Sequence, residues 1–237
     1  MSSSQKVLLL HGTPLSPVVW DEIGTRLAEG HLDVAAPSLA HAGDSRAHAR
    51  RIAATLGPAP VHVVGHSFGG QVALDLALDH PELVASLTCI CSRATPYPPF
   101  SVAAASLRAG LRPDPSAVLA RWLSPAELPR SGSFATRLRQ QLHTVDLTTW
   151  ADALESIARF DRLRDLEDLS MPILAVAAEH DGVSTPSEMR RLAATTRGRF
   201  LQLPEAGHMG PFLRPEVMAA IITRAVRAPV QQPGSSR

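Results

Sequence analysis

Short apolar runs recur along this chain, and most are followed by a stretch whose apolar positions are spaced for a helix. Residues 6–10, 33–36, 61–64, 83–91, 173–178 and 199–203 read as strands. Residues 18–29 read as a helix with Trp20, Ile23 and Leu27 on one face. Residues 45–56, 68–78, 187–195 and 215–225 read as further helices, bounded by Gly57-Pro58, His80-Pro81 and a leading Pro215. Strands alternating with helices predict an α/β fold, a doubly wound, mostly parallel sheet with helices on both faces. Between about residues 93 and 160 the alternation stops. That stretch carries proline-punctuated helical pieces at 102–111, 116–123, 133–144 and 148–160, and no strand. Helices inserted between two strands of one sheet read as a cap over the strand ends. The expected organisation is a core of residues 1–92 and 161–227, a cap of 93–160, and a tail of 228–237 with the composition of a frayed end.

Composition narrows the partners. The formal net charge is +1 over 237 residues, which gives no argument for nucleic acid or an anionic membrane surface. Lys6 is the only lysine; the other basic residues are arginines. The first residues, Met1 to Lys6, lack a signal-peptide pattern, and no apolar run reaches the roughly 20 residues needed to span a bilayer, so a cytoplasmic protein is expected. Cys89 and Cys91 are two apart, which in a strand puts them on one face. Cys-x-Cys is too little for a structural zinc site, and both read as small buried hydrophobes.

Chemistry concentrates at Val61-His62-Val63-Val64-Gly65-His66-Ser67-Phe68-Gly69-Gly70, where a β-branched run ends in Gly-x-Ser-x-Gly and a helical pattern follows. A serine hydroxyl needs a base within reach, and a sharp strand-to-helix turn projects it outward. Glycines at 65 and 69 leave room for neighbouring chain to approach the turn. The helix start aims free N–H groups at developing negative charge. Two later segments supply partners: Glu179-His180-Asp181-Gly182 follows a strand, and Ala206-Gly207-His208-Met209-Gly210 lies in a loop. The expected roles are Ser67 as nucleophile, His208 as general base then acid, and Asp181 as the group that fixes the imidazole tautomer. The backbone N–H groups of Phe68 and Thr13 are the candidate oxyanion hole, where one donor is typically worth about 2.7–4 kcal/mol. Glu179 and Asp165 are rival acids. His66 and His11 are assigned to structure rather than chemistry, and His143 and His180 to solvated or packing positions.

These motifs resemble the α/β-hydrolase superfamily in its small, helically capped branch of lactonases, carboxylesterases, perhydrolases and C–C bond hydrolases. His11-Gly12-Thr13-Pro14 resembles its oxyanion loop, Gly65 to Gly70 its nucleophile elbow, Glu179 to Val183 its acid turn, and Gly207-His208 with Pro211 and Pro215-Glu216 its histidine loop. The chain order Ser67, Asp181, His208 is also that of the superfamily. One departure is Pro37-Ser38-Leu39-Ala40-His41-Ala42-Gly43-Asp44-Ser45, where relatives often carry aspartate at the second position.

The resemblance implies a serine hydrolase that acts on a small-molecule ester, lactone or thioester through an acyl-enzyme, with no cofactor and no metal. The alternatives are a C–C-cleaving, lyase or cyclase enzyme using the same triad, a ligand receptor, and an aminopeptidase holding a substrate amine on Glu127, Asp146, Asp152 or Glu155. Trp122, Phe134, Trp150 and Met209 are the candidate pocket residues, and Arg121, Arg137 and Arg139 are candidates for steering an anion.

Overall fold

The computed structural model describes residues 5–228. Six strands form one sheet: β1 (Lys6–Leu10), β2 (Asp33–Ala35), β3 (Val61–His66), β4 (Val84–Ile90), β5 (Ile173–Ala178) and β6 (Arg199–Leu203). Their spatial order is β2-β1-β3-β4-β5-β6, and every pairing is parallel. The expected doubly wound α/β sheet is therefore present. The tail assigned to residues 228–237 lies, except for Ala228, outside the described residues.

Side-chain alternation along the strands builds a separate core on each face. In β1, Leu8 and Leu10 enter one cluster while Val7 and Leu9 enter the other. In β3, Val61 and Val63 go to the first and Val64 to the second. The first face is covered by α2 (Ser45–Ala53), α3 (Phe68–Asp79) and α8 (Pro186–Thr195). The second is covered by α1 (Asp21–Glu29) and α9 (Pro215–Val226). The chain changes sides between β1 and β3. At such a switch point the loops leaving the carboxyl ends of two neighbouring strands diverge and open a crevice. Those loops here begin at His11 and Ser67.

Residues between β4 and β5 carry α4 (Pro99–Arg108), α5 (Pro115–Trp122), α6 (Gly132–Thr144) and α7 (Leu147–Arg159). Three of the four starts have a local cause: Pro99 and Pro115 occupy first-turn positions in α4 and α5, and the side chains of Asp114 and Asp146 accept the N–H groups of Ser116 and Thr149.

One local expectation fails. Cys89 and Cys91 are both fully buried thiols but enter opposite clusters. β4 ends at Ile90, and Cys91 turns to φ 47°, which breaks the two-residue alternation. No helix among the described residues is long and apolar enough to cross a membrane.

Candidate active site

Ser67 sits between β3 and α3 at φ 54°, ψ −120°, a strained conformation for a residue with a side chain. The turn is held by backbone and side chain: the Ser67 N–H donates to Ile90 O at 3.0 Å, and the Ser92 hydroxyl donates to Ser67 O at 2.8 Å. A Cβ at Gly65 would run into the Gly69 carbonyl, and one at Gly69 into the carbonyls of Leu10 and His11. These glycines let α3 start directly against β1. Phe68 is the first residue of α3, so its N–H has no intrahelical acceptor.

His208 is brought to the same place by the loop after β6. Its Nδ1 donates to Asp181 Oδ2 at 2.7 Å, with the two side chains 7% and 0% exposed. The other carboxylate oxygen of Asp181 accepts the N–H groups of Val183 (2.8 Å) and Ser184 (3.0 Å). Burial alone raises the Asp181 carboxyl. The charge and hydrogen bond of His208, with the two backbone donors, outweigh it and hold the group below its usual range. Glu179, the rival acid, is exposed and accepts the Glu205 N–H instead. Asp165 lies in a one-turn helix beside Arg162.

The two neighbouring histidines are structural in geometry. His11 Nδ1 donates to Gly12 O and its Nε2 accepts the Leu39 N–H, both at 2.9 Å, which fixes a neutral tautomer and ties the β1 loop to the β2 loop. Burial pushes its pKa down to about 4. His66 Nε2 donates to His208 O at 3.0 Å, and burial pushes it down to about 3. His66, Cys91 and His208 offer three donor atoms within 4.8 Å of one another. A metal there would compete with the Asp181–His208 hydrogen bond and with a Cys91 thiol whose pKa burial raises well above 9.0.

A cavity of about 550 Å³ opens between these loops and the inserted helices, with Thr13, Ser67 and His208 in its wall. Helical spacing explains the opposite wall. From α4 come Phe100, Ala103 and Leu107, from α5 Val118, Arg121 and Trp122, and from α7 Trp150, Leu154 and Ile157. No aspartate or glutamate lines it among the described residues.

Trp122 and Trp150 thus line the cavity as expected, and Phe134 and Met209 do not. Phe134 stacks on Phe212 at 6.4 Å and borders a separate groove with Val19 and Ile23. Met209 is wholly buried in the α1–α9 core. The apolar face of a helix is legible in sequence, but which of two apolar surfaces it meets is not. The acids considered for a substrate amine also lie elsewhere. Asp146 caps α7, Asp152 and Glu155 pair with Arg108, and Glu127 bonds the histidine loop. Arg121 borders the cavity, Arg137 pairs with Glu22, and Arg139 is exposed.

Sequence reasoning missed two side chains that fasten the loops. Buried Arg93 donates to Val183 O at 2.6 Å, two residues past Asp181. Buried Glu127 accepts the Gly207 N–H at 2.9 Å, next to His208. Glu127 did leave a signal, because Ser124-Pro125-Ala126-Glu127 has capping-box spacing and the carboxylate accepts the Ser124 N–H.

A parallel switch-point sheet, a serine at a strained strand–helix turn and a histidine paired with a buried aspartate define an α/β hydrolase. The family model described as "Alpha/beta hydrolase family" matches residues 7–221, and the chain belongs to that family. It is 30% identical to a pimeloyl-[acyl-carrier protein] methyl ester esterase of Aromatoleum aromaticum, over 93% of this chain and 98% of that protein. The fold is similar to that of an enol-lactonase from Burkholderia xenovorans (TM-score 0.88, 19% identity, 96% and 93% of the two chains covered). It is also similar to that of a thermophilic esterase from Thermogutta terrifontis (TM-score 0.83, 23% identity, 95% and 91% covered).

Proposed function

We propose that this enzyme is a serine hydrolase that cleaves a carboxylic ester, lactone or thioester through an acyl-enzyme on Ser67. The observation that carries this reading is the meeting of Ser67 and an Asp181-held His208 in the wall of one cavity.

His208 Nε2 takes the Ser67 hydroxyl proton as Oγ bonds to the acyl carbon. The carbonyl oxygen becomes an oxyanion, met by the N–H groups of Phe68 and Thr13. Collapse breaks the ester bond, and His208 returns the proton to the departing alcohol or thiol. Water, deprotonated by His208, attacks the acyl-enzyme in the second half. The acid leaves as Oγ regains its proton. Asp181 stays ionised throughout and stabilises the imidazolium.

The inserted helices act as a cap, and their apolar wall suits the acyl group. The A. aromaticum relative, an ester-cleaving enzyme by name, supports the bond type. Among the described residues the cavity wall is mostly apolar and carries no acidic group to hold a substrate amine, which disfavours aminopeptidase action. A fluorophosphonate probe tests the reading. It labels folded wild type at Ser67 and does not label Ser67→Ala; folded wild type that takes no label refutes it.

A further inference from the structure

We propose that Glu127, carried by the inserted helical segment, is a positioning residue for His208. The inference rests on the reading of His208 as the catalytic base.

Three consecutive residues, Gly207 to Met209, each have a backbone group held by a different partner. The Gly207 N–H donates to Glu127 Oε2 at 2.9 Å, His208 O accepts from His66 Nε2 at 3.0 Å, and the Met209 N–H donates to Trp122 O at 3.0 Å. Two of these partners, Glu127 and Trp122, belong to the inserted segment rather than to the sheet core. A fourth tether from the same segment runs from the Ser124 hydroxyl to Glu205 O at 2.8 Å. The same Glu127 oxygen also accepts the Ser124 N–H at 3.0 Å, so one atom joins the two loops. The fit is close. A Cβ at Gly207 would lie 2.6 Å from Ser124 N and from Trp122 O, and one at Gly210 would run into Glu127 Oε1.

The choice of residue is informative. Glu127 is 2% exposed and forms no ion pair among the described residues. Its second oxygen, Oε1, has no hydrogen-bond partner there either. An unpaired buried carboxylate is costly, and a neutral apolar residue would fill the space without that cost. What an acceptor of this reach supplies is the link between the Ser124 and Gly207 N–H groups. Breaking it frees the loop that carries His208, and Glu127 itself does not line the cavity. The loss therefore falls on kcat and not on KM.

The test compares wild type, Glu127→Ala and Glu127→Gln, each checked for cooperative unfolding. The readouts are steady-state hydrolysis of p-nitrophenyl butyrate and the downfield proton NMR signal of the His208–Asp181 hydrogen bond. Glu127→Ala is expected to lower kcat by about tenfold to a hundredfold, with KM within about twofold of wild type, and to broaden or lose the signal. Glu127→Gln keeps one acceptor oxygen for both N–H groups and is expected to recover kcat to within about threefold of wild type. If Glu127→Ala does not fold, Glu127→Asp, whose shorter side chain does not span both N–H groups, takes its place and is expected to lower kcat with KM held. A folded Glu127→Ala with wild-type kcat and signal overturns the proposal, as does Glu127→Gln impaired as severely as Glu127→Ala. If wild type hydrolyses no ester, the proposed reaction fails, and the NMR comparison still decides whether Glu127 places His208.

Discussion

Asp181 Oδ2 accepts from His208 Nδ1 at 2.7 Å, and both side chains are nearly excluded from water. Asparagine at 181 would offer an amide where the imidazole needs an acceptor and would favour the wrong tautomer. Asp181→Asn is expected to lower kcat by about 10³- to 10⁴-fold with little change in KM. Steady-state ester hydrolysis measures this, and a loss under about tenfold would remove Asp181 from the proposed triad.

Buried neutral histidines make the fold acid-sensitive. His11 and His66 are pushed down from 6.5 to about 4 and about 3, by burial first in each case. The folded state then holds fewer protons than the unfolded chain below pH 6.5. Their contribution is complete above that value and is lost as pH falls toward the folded values. At pH 5 each costs about 2 kcal/mol. Asp181, whose pKa is lowered from 3.8, stays ionised in this window and offsets none of it. Urea unfolding at pH 7.5 and pH 5 is expected to show a clear drop in midpoint, and equal midpoints would contradict this account.

Strain at the elbow is testable apart from catalysis. Ser67 holds φ 54° with a Cβ present, and alanine would inherit that strain whereas glycine would not. Ser67→Gly is expected to be about 1 kcal/mol more stable than Ser67→Ala. Thermal unfolding of the two variants makes the comparison, and a more stable alanine variant would argue against strain at this turn.

The fold and the meeting of the candidate groups at one cavity are legible in sequence for a shared reason. Strand alternation and the Gly-x-Ser-x-Gly turn are local, and the acid and histidine each follow a recognisable strand. Phe134 was misplaced because its helix has apolar neighbours on two sides, and periodicity does not choose between them. Cys91 was misplaced because a single positive φ after β4 reverses its side. Glu127 reads from sequence as a possible substrate contact, since its partner Gly207 is 80 residues away in the chain. Long-range hydrogen bonds of this kind leave only a weak local trace, here the Ser-x-x-Glu spacing.

The cavity makes a size prediction. Ala103 faces it from the middle of α4. Ala103→Trp should leave p-nitrophenyl acetate hydrolysis near wild type while raising KM for the octanoate ester. Equal effects on both esters would place the acyl chain elsewhere.

The proposed reaction passes through an acyl-enzyme on Ser67. Intact-protein mass spectrometry after mixing with a short-chain p-nitrophenyl ester tests it most directly, alongside release of the phenol. Wild type is expected to gain the mass of one acyl group and to turn over, and Ser67→Ala to do neither. An adduct and turnover that persist in Ser67→Ala would contradict the account.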